Sequence, residues 1–192
     1  MIGRMYLTMS PLLLGGILNM VFTKTKLYKK LAKPIDSGKC CRDGRRILGD
    51  NKTTIGFVSM VVFCTLAQLL SGLLCAALKI ELYNDLYVAR ENTFLFNLWF
   101  GALTGFIYMF CELPNSFIKR RISIPPGRTV GGIKGFIFFI MDQIDSLLGV
   151  MALLCVVAQL GFVHYWQYVL VGAFTHITVN IILFSLKIRR NI

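Results

Sequence analysis

Residues 135–161 read GFIFFIMDQIDSLLGVMALLCVVAQLG, an apolar stretch interrupted by two acidic side chains, Asp142 and Asp145. An α-helix needs about 20 apolar residues to cross the hydrocarbon core of a bilayer, and this stretch is long enough. Buried core helices of soluble proteins have shorter apolar runs. The stretch therefore predicts a membrane-spanning helix with two acids inside it.

Four further stretches are similarly apolar, and the whole chain is 56% hydrophobic, with 16% charged residues and a mean hydropathy of +0.66. Soluble domains carry about 25% charged residues. The five predicted spans are Met5–Phe22, Ile55–Leu78, Thr93–Phe110, Gly135–Gly161 and Phe162–Leu186. The sequence predicts an all-α integral membrane protein with about five transmembrane helices. Because the loops are too short to hold separate cores, residues 1–192 are expected to form a single membrane-embedded domain.

The net charge of +12 is concentrated between the apolar stretches. Ten lysines and arginines lie in residues 23–54, five in residues 111–134 and three after residue 186. Cytoplasmic loops of membrane proteins are enriched in these residues. This pattern predicts a multi-pass protein of the cell membrane with two basic cytoplasmic loops, an external N-terminus and a cytoplasmic C-terminus.

The basic loops are expected to face partners other than nucleic acid. The chain has no DNA- or RNA-binding motif, so nucleic acid is not expected to bind. Loop cations between membrane spans can face anionic lipid headgroups or phosphate-bearing substrates. A homodimer formed through the membrane-spanning helices is compatible with the sequence.

Asp142 and Asp145 are the first candidates for chemistry, because an ionisable residue inside a span is costly and usually functional. Their i, i+3 spacing places both carboxylates on one helix face. Two neighbouring carboxylates repel each other unless a cation lies between them, and oxygen ligands suit Mg²⁺. The alternative is an ion pair with a lysine or arginine from a neighbouring helix.

A second candidate group follows the third predicted span. On a helix, Glu112, Ser116 and Lys119 share one face, although Pro114 can bend it, and two arginines follow Lys119 directly. Such a cation cluster is often only an anchor at the membrane boundary. Beside Glu112 and the paired aspartates, it is more typical of a phosphate clamp.

The first basic loop contains a third candidate group in residues 42–53, RDGRRILGDNKT. Two glycines permit tight turns and close backbone approach to an anion. The spacing of a P-loop is absent. The residue types predict either an anion-binding loop, in which acids orient the basic side chains, or a solvated basic loop.

Three blocks in order resemble the CDP-archaeol synthase family, which is related to the phosphatidate cytidylyltransferases. The blocks are Pro34-Ile-Asp through Asp43-Gly-Arg-Arg-Ile-Leu-Gly-Asp-Asn-Lys-Thr53, Ser116-Phe-Ile-Lys-Arg-Arg121 with Pro126-Gly127, and Asp142-Gln-Ile-Asp-Ser146. The resemblance implies an enzyme of phospholipid biosynthesis, a CTP:lipid-phosphate cytidylyltransferase that uses Mg²⁺ to make a CDP-lipid and pyrophosphate at the cytoplasmic face of the membrane.

The resemblance also assigns roles to individual residues. The implied metal ligands are Glu112, Asp142 and Asp145, and the implied catalytic residues are Ser116, Lys119 and Arg120. The implied nucleotide- or phosphate-binding residues are Asp43, Arg45, Arg46, Asp50, Lys52, Thr53 and Arg121. Cys111-Glu112 stands where the family usually has Gly-Asp. The alternatives are a small membrane transporter or a non-catalytic lipid-phosphate-binding protein that uses the intramembrane acids.

Overall fold

The computed structural model describes residues 1–126 and 131–185, which form α-helices joined by turns and loops. The helices are α1 (Ile2–Phe22), α2 (Lys26–Leu31), α3 (Thr54–Leu78), α4 (Asp85–Ala89), α5 (Phe94–Arg121), α6 (Gly132–Val157) and α7 (Phe162–Ser185). The predicted all-α membrane fold is confirmed. Gly127 of the second motif, Arg128 and the C-terminal cations lie outside the described residues.

Four of the predicted spans are long and apolar enough to cross a membrane, namely α1, α3, α5 and α6. Helix α7 packs against α6 and has 24 residues, which corresponds to about 36 Å. It is not among these four, and polar side chains such as His164, Gln167 and Asn180 lower its hydropathy. The fifth span therefore stays a prediction, while the multi-pass character of the protein is clear.

Helices α3 and α5 pack closely because two glycines of α5 face the backbone of α3. A β-carbon at Gly105 would lie 2.6 Å from the Cα atom of Val61, and one at Gly101 would lie 2.7 Å from the Cα atom of Thr65. Two small residues four positions apart let helices approach each other in a membrane, where van der Waals contact drives association. These two helices form the rigid centre of the bundle.

Hydrogen bonds join α1, α4 and α7 at the end of the bundle where α1 begins. Arg4 forms a 2.5 Å ion pair with Asp85, which also accepts a 2.7 Å hydrogen bond from the fully buried Tyr168 hydroxyl. The backbone N–H of Asp85 donates to Thr8 at 2.9 Å. The basic loop that follows α1 lies at the opposite end, together with the end of α5.

Helix α5 continues well beyond its predicted apolar span, through Pro114 to Arg121. The extension brings Glu112, Asn115 and Lys119 to the face that meets α6. On α6, Asp142 lies ten positions after the first helical residue, about 15 Å along the axis. The two aspartates are therefore set about three helical turns along α6 from its first residue.

Candidate active site

The two aspartates of α6 are held together by one side chain of α5. The Asn115 amide nitrogen donates to an Asp142 oxygen and to an Asp145 oxygen, each at 2.7 Å. The other oxygen of Asp145 accepts a 2.7 Å hydrogen bond from the backbone N–H of Ser146. The predicted placement of both carboxylates on one helix face is confirmed.

Asp142 also forms an ion pair with Lys119, whose ammonium group contacts both carboxylate oxygens. An ion pair of this kind, with a lysine of a neighbouring helix, was the alternative to a cation site in the sequence-based prediction. The Asp142 side chain is 40% exposed, so this ion pair does not bury it. The Asp145 carboxylate forms no ion pair within residues 1–126 and 131–185.

Glu112 is paired with Lys52, which the first loop brings into the bundle. Both side chains are largely buried. Burial by itself lowers the pKa of Lys52, but the Glu112 carboxylate, with smaller contributions from Asp145 and Asp142, outweighs burial and raises that pKa. Lys52 therefore remains charged and lies within electrostatic range of the three acids. Two lysines and three carboxylates share one site.

The oxygen atoms at this site are of the kind that bind the divalent cation implied by the resemblance. No group of three His, Cys, Asp or Glu side chains converges into a metal site in the described part of the chain. However, the amide oxygen of Asn115 is buried without a hydrogen-bond partner there, on the same amide that contacts both aspartates. Two carboxylates and an amide oxygen are hard ligands that suit Mg²⁺. The residues present fit such an ion.

Asp36 organises the first loop. Its side chain is 1% exposed and pairs with Arg46 at 2.7 Å. It also accepts hydrogen bonds from the backbone N–H groups of Leu48 at 2.9 Å, Gly49 at 3.1 Å and Gly38 at 3.1 Å. Burial alone raises the pKa of Asp36, but these hydrogen bonds outweigh it and hold the pKa well below its usual range. The loop is therefore folded around a buried carboxylate.

We expect Asp36→Asn to loosen this loop, because the amide loses the charge and one acceptor. A hydrogen bond to a charged group contributes about 1.5–3 kcal/mol, so exchange of the Leu48 and Gly49 amides should rise about 10- to 100-fold in hydrogen-exchange measurements. The depressed pKa means that the wild-type contribution is complete above about pH 4 and is lost as pH falls toward the folded-state pKa. Asp50→Asn, at an exposed carboxylate, is the control. Unchanged protection in Asp36→Asn contradicts the assignment.

Arg121 joins the first basic loop to the end of α5. It forms a 2.5 Å ion pair with Asp43 and donates to the backbone oxygens of Arg45 at 3.1 Å and Arg46 at 2.5 Å. Arg45 donates in return to the Arg121 carbonyl. The backbone N–H of Arg45, and then Arg121, lower the pKa of Asp43. Arg46 also pairs with Asp50 at 2.7 Å. The predicted orientation of basic side chains by acids is therefore present.

The remaining predicted site residues are buried. The Thr53 hydroxyl caps α3 by accepting a 3.1 Å hydrogen bond from the Gly56 N–H. It also forms a 2.8 Å hydrogen bond with the Tyr28 hydroxyl. Ser116 and Arg120 lie inside the packed end of α5, where Arg120 donates to the Ile124 carbonyl. Thr53 thus has a structural role, and the assigned catalytic or binding roles of all three stay predictions.

Asn115 and Asp36 were not singled out as site residues from the sequence. Asn115 stands one helical turn before Lys119 and three residues after Glu112, so its place on their shared face was a usable signal. Asp36 belongs to the first matching block, but nothing local indicates that it binds amides twelve and thirteen residues further on. That contact depends on how the loop folds back.

Comparison with known proteins agrees with this architecture. A family model described as CarS-like: CDP-archaeol synthase matches residues 17–191. The CDP-archaeol synthase of Thermococcus kodakarensis is 35% identical over 143 residues, which cover 74% of this chain and 63% of that protein. The Methanocaldococcus jannaschii CDP-archaeol synthase is 30% identical over 160 residues, 81% of each chain. The chain thus spans less than two thirds of the Thermococcus relative.

A solved structure of an intramembrane enzyme for archaeal membrane lipids biosynthesis has the same fold. Its TM-score is 0.61 at 20% sequence identity, with 92% of each chain covered. The match over nearly the whole length of both chains indicates that the helix arrangement is shared. The resemblance carried by the three sequence blocks is confirmed. The chain belongs to the CDP-archaeol synthase family.

Proposed function

We propose that this protein transfers CMP from CTP to the phosphate of a membrane lipid, forming a CDP-lipid of the CDP-archaeol or CDP-diacylglycerol type and releasing pyrophosphate. The observation that carries the proposal is the joining of Asp142 and Asp145 by Asn115 beside two buried lysines. Acids and cations held side by side can bind a polyphosphate together with a divalent cation. The family relationship favours the same reaction.

The reaction is an in-line substitution at the α-phosphorus of CTP. An oxygen of the lipid phosphate forms the new bond to that phosphorus, and the bond to the bridging oxygen of the β-phosphate breaks, so pyrophosphate leaves. The protein contributes by positioning and by charge neutralisation. Lys119 and Lys52 would neutralise phosphate oxygens, while the loop held by Arg46 and Arg121 would form the wall of the nucleotide site.

The cation in this proposal is Mg²⁺, which Asp142, Asp145 and Glu112 would hold, and Lys52 would then be free to pair with phosphate. When bound, Mg²⁺ would stabilise negative charge on the reacting phosphates. The concentration of lysines and arginines at this end supports a cytoplasmic orientation of the site, where CTP is available.

A cavity beside the site supports a lipid as the acceptor. It lies between α1, α6 and α7, with Tyr108 of α5 and His176 of α7 among its mostly apolar lining. Ile17 on its α1 wall is 37% exposed, which indicates that this wall reaches the lipid-facing surface. A hydrocarbon tail would lie here while its phosphate reaches the carboxylate pair.

Gly16 provides a direct test of this cavity. It lies on the cavity wall, and a β-carbon there would meet nothing within 4 Å. We expect Gly16→Phe to lower kcat/KM for a long-chain lipid phosphate about tenfold or more, because the ring takes space from the tail. A short-chain lipid phosphate should be affected less. Gly3→Phe, also without a neighbour within 4 Å but outside the cavity lining, is the control. Equal losses for both lipids would remove the cavity from the proposal.

The activity itself is tested by CTP turnover. Purified protein is incubated with CTP, Mg²⁺ and a panel of archaeal ether-lipid and bacterial ester-lipid phosphates, and pyrophosphate and CDP-lipid are measured together. We expect equal amounts of the two products with at least one lipid and none without lipid phosphate. Absence of pyrophosphate release with every lipid would overturn the proposed function.

A further inference from the structure

We propose that Asn115 is itself a ligand of the divalent cation, and that it changes its atom of contact when the cation binds. In the described structure its amide nitrogen bridges the two aspartates. With a cation present, its amide oxygen faces the metal. This inference rests on the proposed function for the identity of the cation and adds a residue that the family motif does not assign.

The bridging contact offsets part of the repulsion between the two carboxylates. Two carboxylates one helical turn apart repel each other. An amide NH₂ group has two hydrogens, and here each one is donated to a different aspartate at 2.7 Å. Lys119 neutralises Asp142 only, so Asn115 is the one described side chain that contacts both acids.

The other atom of the same amide points to the second role. The Asn115 side chain is buried, with the residue 6% exposed, and its amide oxygen has no hydrogen-bond partner among the described residues. A buried acceptor without a partner costs about 1–3 kcal/mol. No described partner of that oxygen therefore fixes the orientation of the amide, so either its nitrogen or its oxygen can face the two acids.

A half-turn about the Cβ–Cγ bond links the two roles. The nitrogen and oxygen of an amide are nearly equal in size, so the half-turn exchanges them without disturbing the packing. It replaces a donor to two carboxylates by a third oxygen ligand beside them. Two carboxylates and one amide oxygen leave room for the waters and substrate phosphates that complete a Mg²⁺ shell.

Mn²⁺ binding without nucleotide tests the proposal, because free and bound Mn²⁺ are distinguished by electron paramagnetic resonance. We expect Asn115→Ala to weaken Mn²⁺ binding about 10- to 100-fold. Asn115→Asp keeps an oxygen but loses the donor, so it should bind Mn²⁺ at least as tightly as the wild type. Asn51→Ala, an exposed amide in the first loop, is the matched control and should bind normally. Thermal unfolding of each variant verifies folding.

Two outcomes overturn the inference. Wild-type affinity in folded Asn115→Ala excludes any role in metal binding, and equal weakening in Asn115→Ala and Asn115→Asp reduces Asn115 to a positioning donor. The CTP assay separates these results from the proposed function. If the wild type turns over CTP but Mn²⁺ binds equally well without the Asn115 side chain, only the inference is wrong. Asn115-dependent Mn²⁺ binding without CTP turnover supports the inference and defeats the proposed reaction.

Discussion

Asp142→Asn should lower the rate of CTP-dependent CDP-lipid formation about 10²- to 10³-fold, the loss typical when one preorganised electrostatic group is removed from an active site. The substitution removes half of the paired negative charge and leaves Lys119 without its carboxylate. Asp145→Asn should have a similar effect, because the two acids share Asn115. Pyrophosphate release by purified protein at saturating CTP measures both.

The control for this experiment is Glu91→Gln, which makes the same acid-to-amide change at an exposed position just before α5, at the opposite end from the site. It should retain wild-type turnover. Thermal unfolding of Asp142→Asn distinguishes lost chemistry from lost folding. Wild-type turnover in the folded variant would refute the carboxylate site. Altered ion flux in proteoliposomes, with no dependence on CTP in either protein, would instead favour a transporter.

Gly105→Leu should prevent stable assembly of the bundle, and Gly105→Ala should lower the free energy of unfolding by about 1–3 kcal/mol. A methyl group at this position would lie 2.6 Å from the Cα atom of Val61 and 2.8 Å from the carbonyl oxygen of Met60. Both neighbours are backbone atoms of α3, so the strain is relieved only by moving the helices apart. Thermal unfolding in detergent measures the effect.

Gly16→Ala is the matched control, since Gly16 is also inside a membrane helix but has open space beside it. Alanine favours helix more than glycine does, so the control should be neutral or slightly stabilising. The same unfolding temperature for Gly105→Ala and Gly16→Ala would contradict the close α3–α5 contact. A separation of α3 and α5 would also disturb catalysis, because α5 carries Glu112, Asn115 and Lys119 to the site.

The sequence was sufficient for the properties that depend on local composition. Long apolar stretches predict membrane helices because unpaired backbone groups are too costly in hydrocarbon. The i, i+3 spacing of Asp142 and Asp145 places them on one face because helix geometry is regular. Helix α7 is the exception among the spans. Some of its polar side chains face α6, where Asn180 donates to Gln143 at 2.9 Å, and they lower the hydropathy of the helix.

The pairings within the site depended on tertiary structure. Sequence order does not tell that Lys52 meets Glu112 or that Lys119 meets Asp142, because each ion pair joins segments that are far apart in the chain. The role of Asn115 likewise appears only when α5 lies against α6, and Asp36 acquires its backbone partners only when the loop closes around it. Composition and periodicity determined the membrane helices and the face of each acid, whereas long-range packing decided which charges meet, since electrostatic and hydrogen-bond partners are set by distance in space.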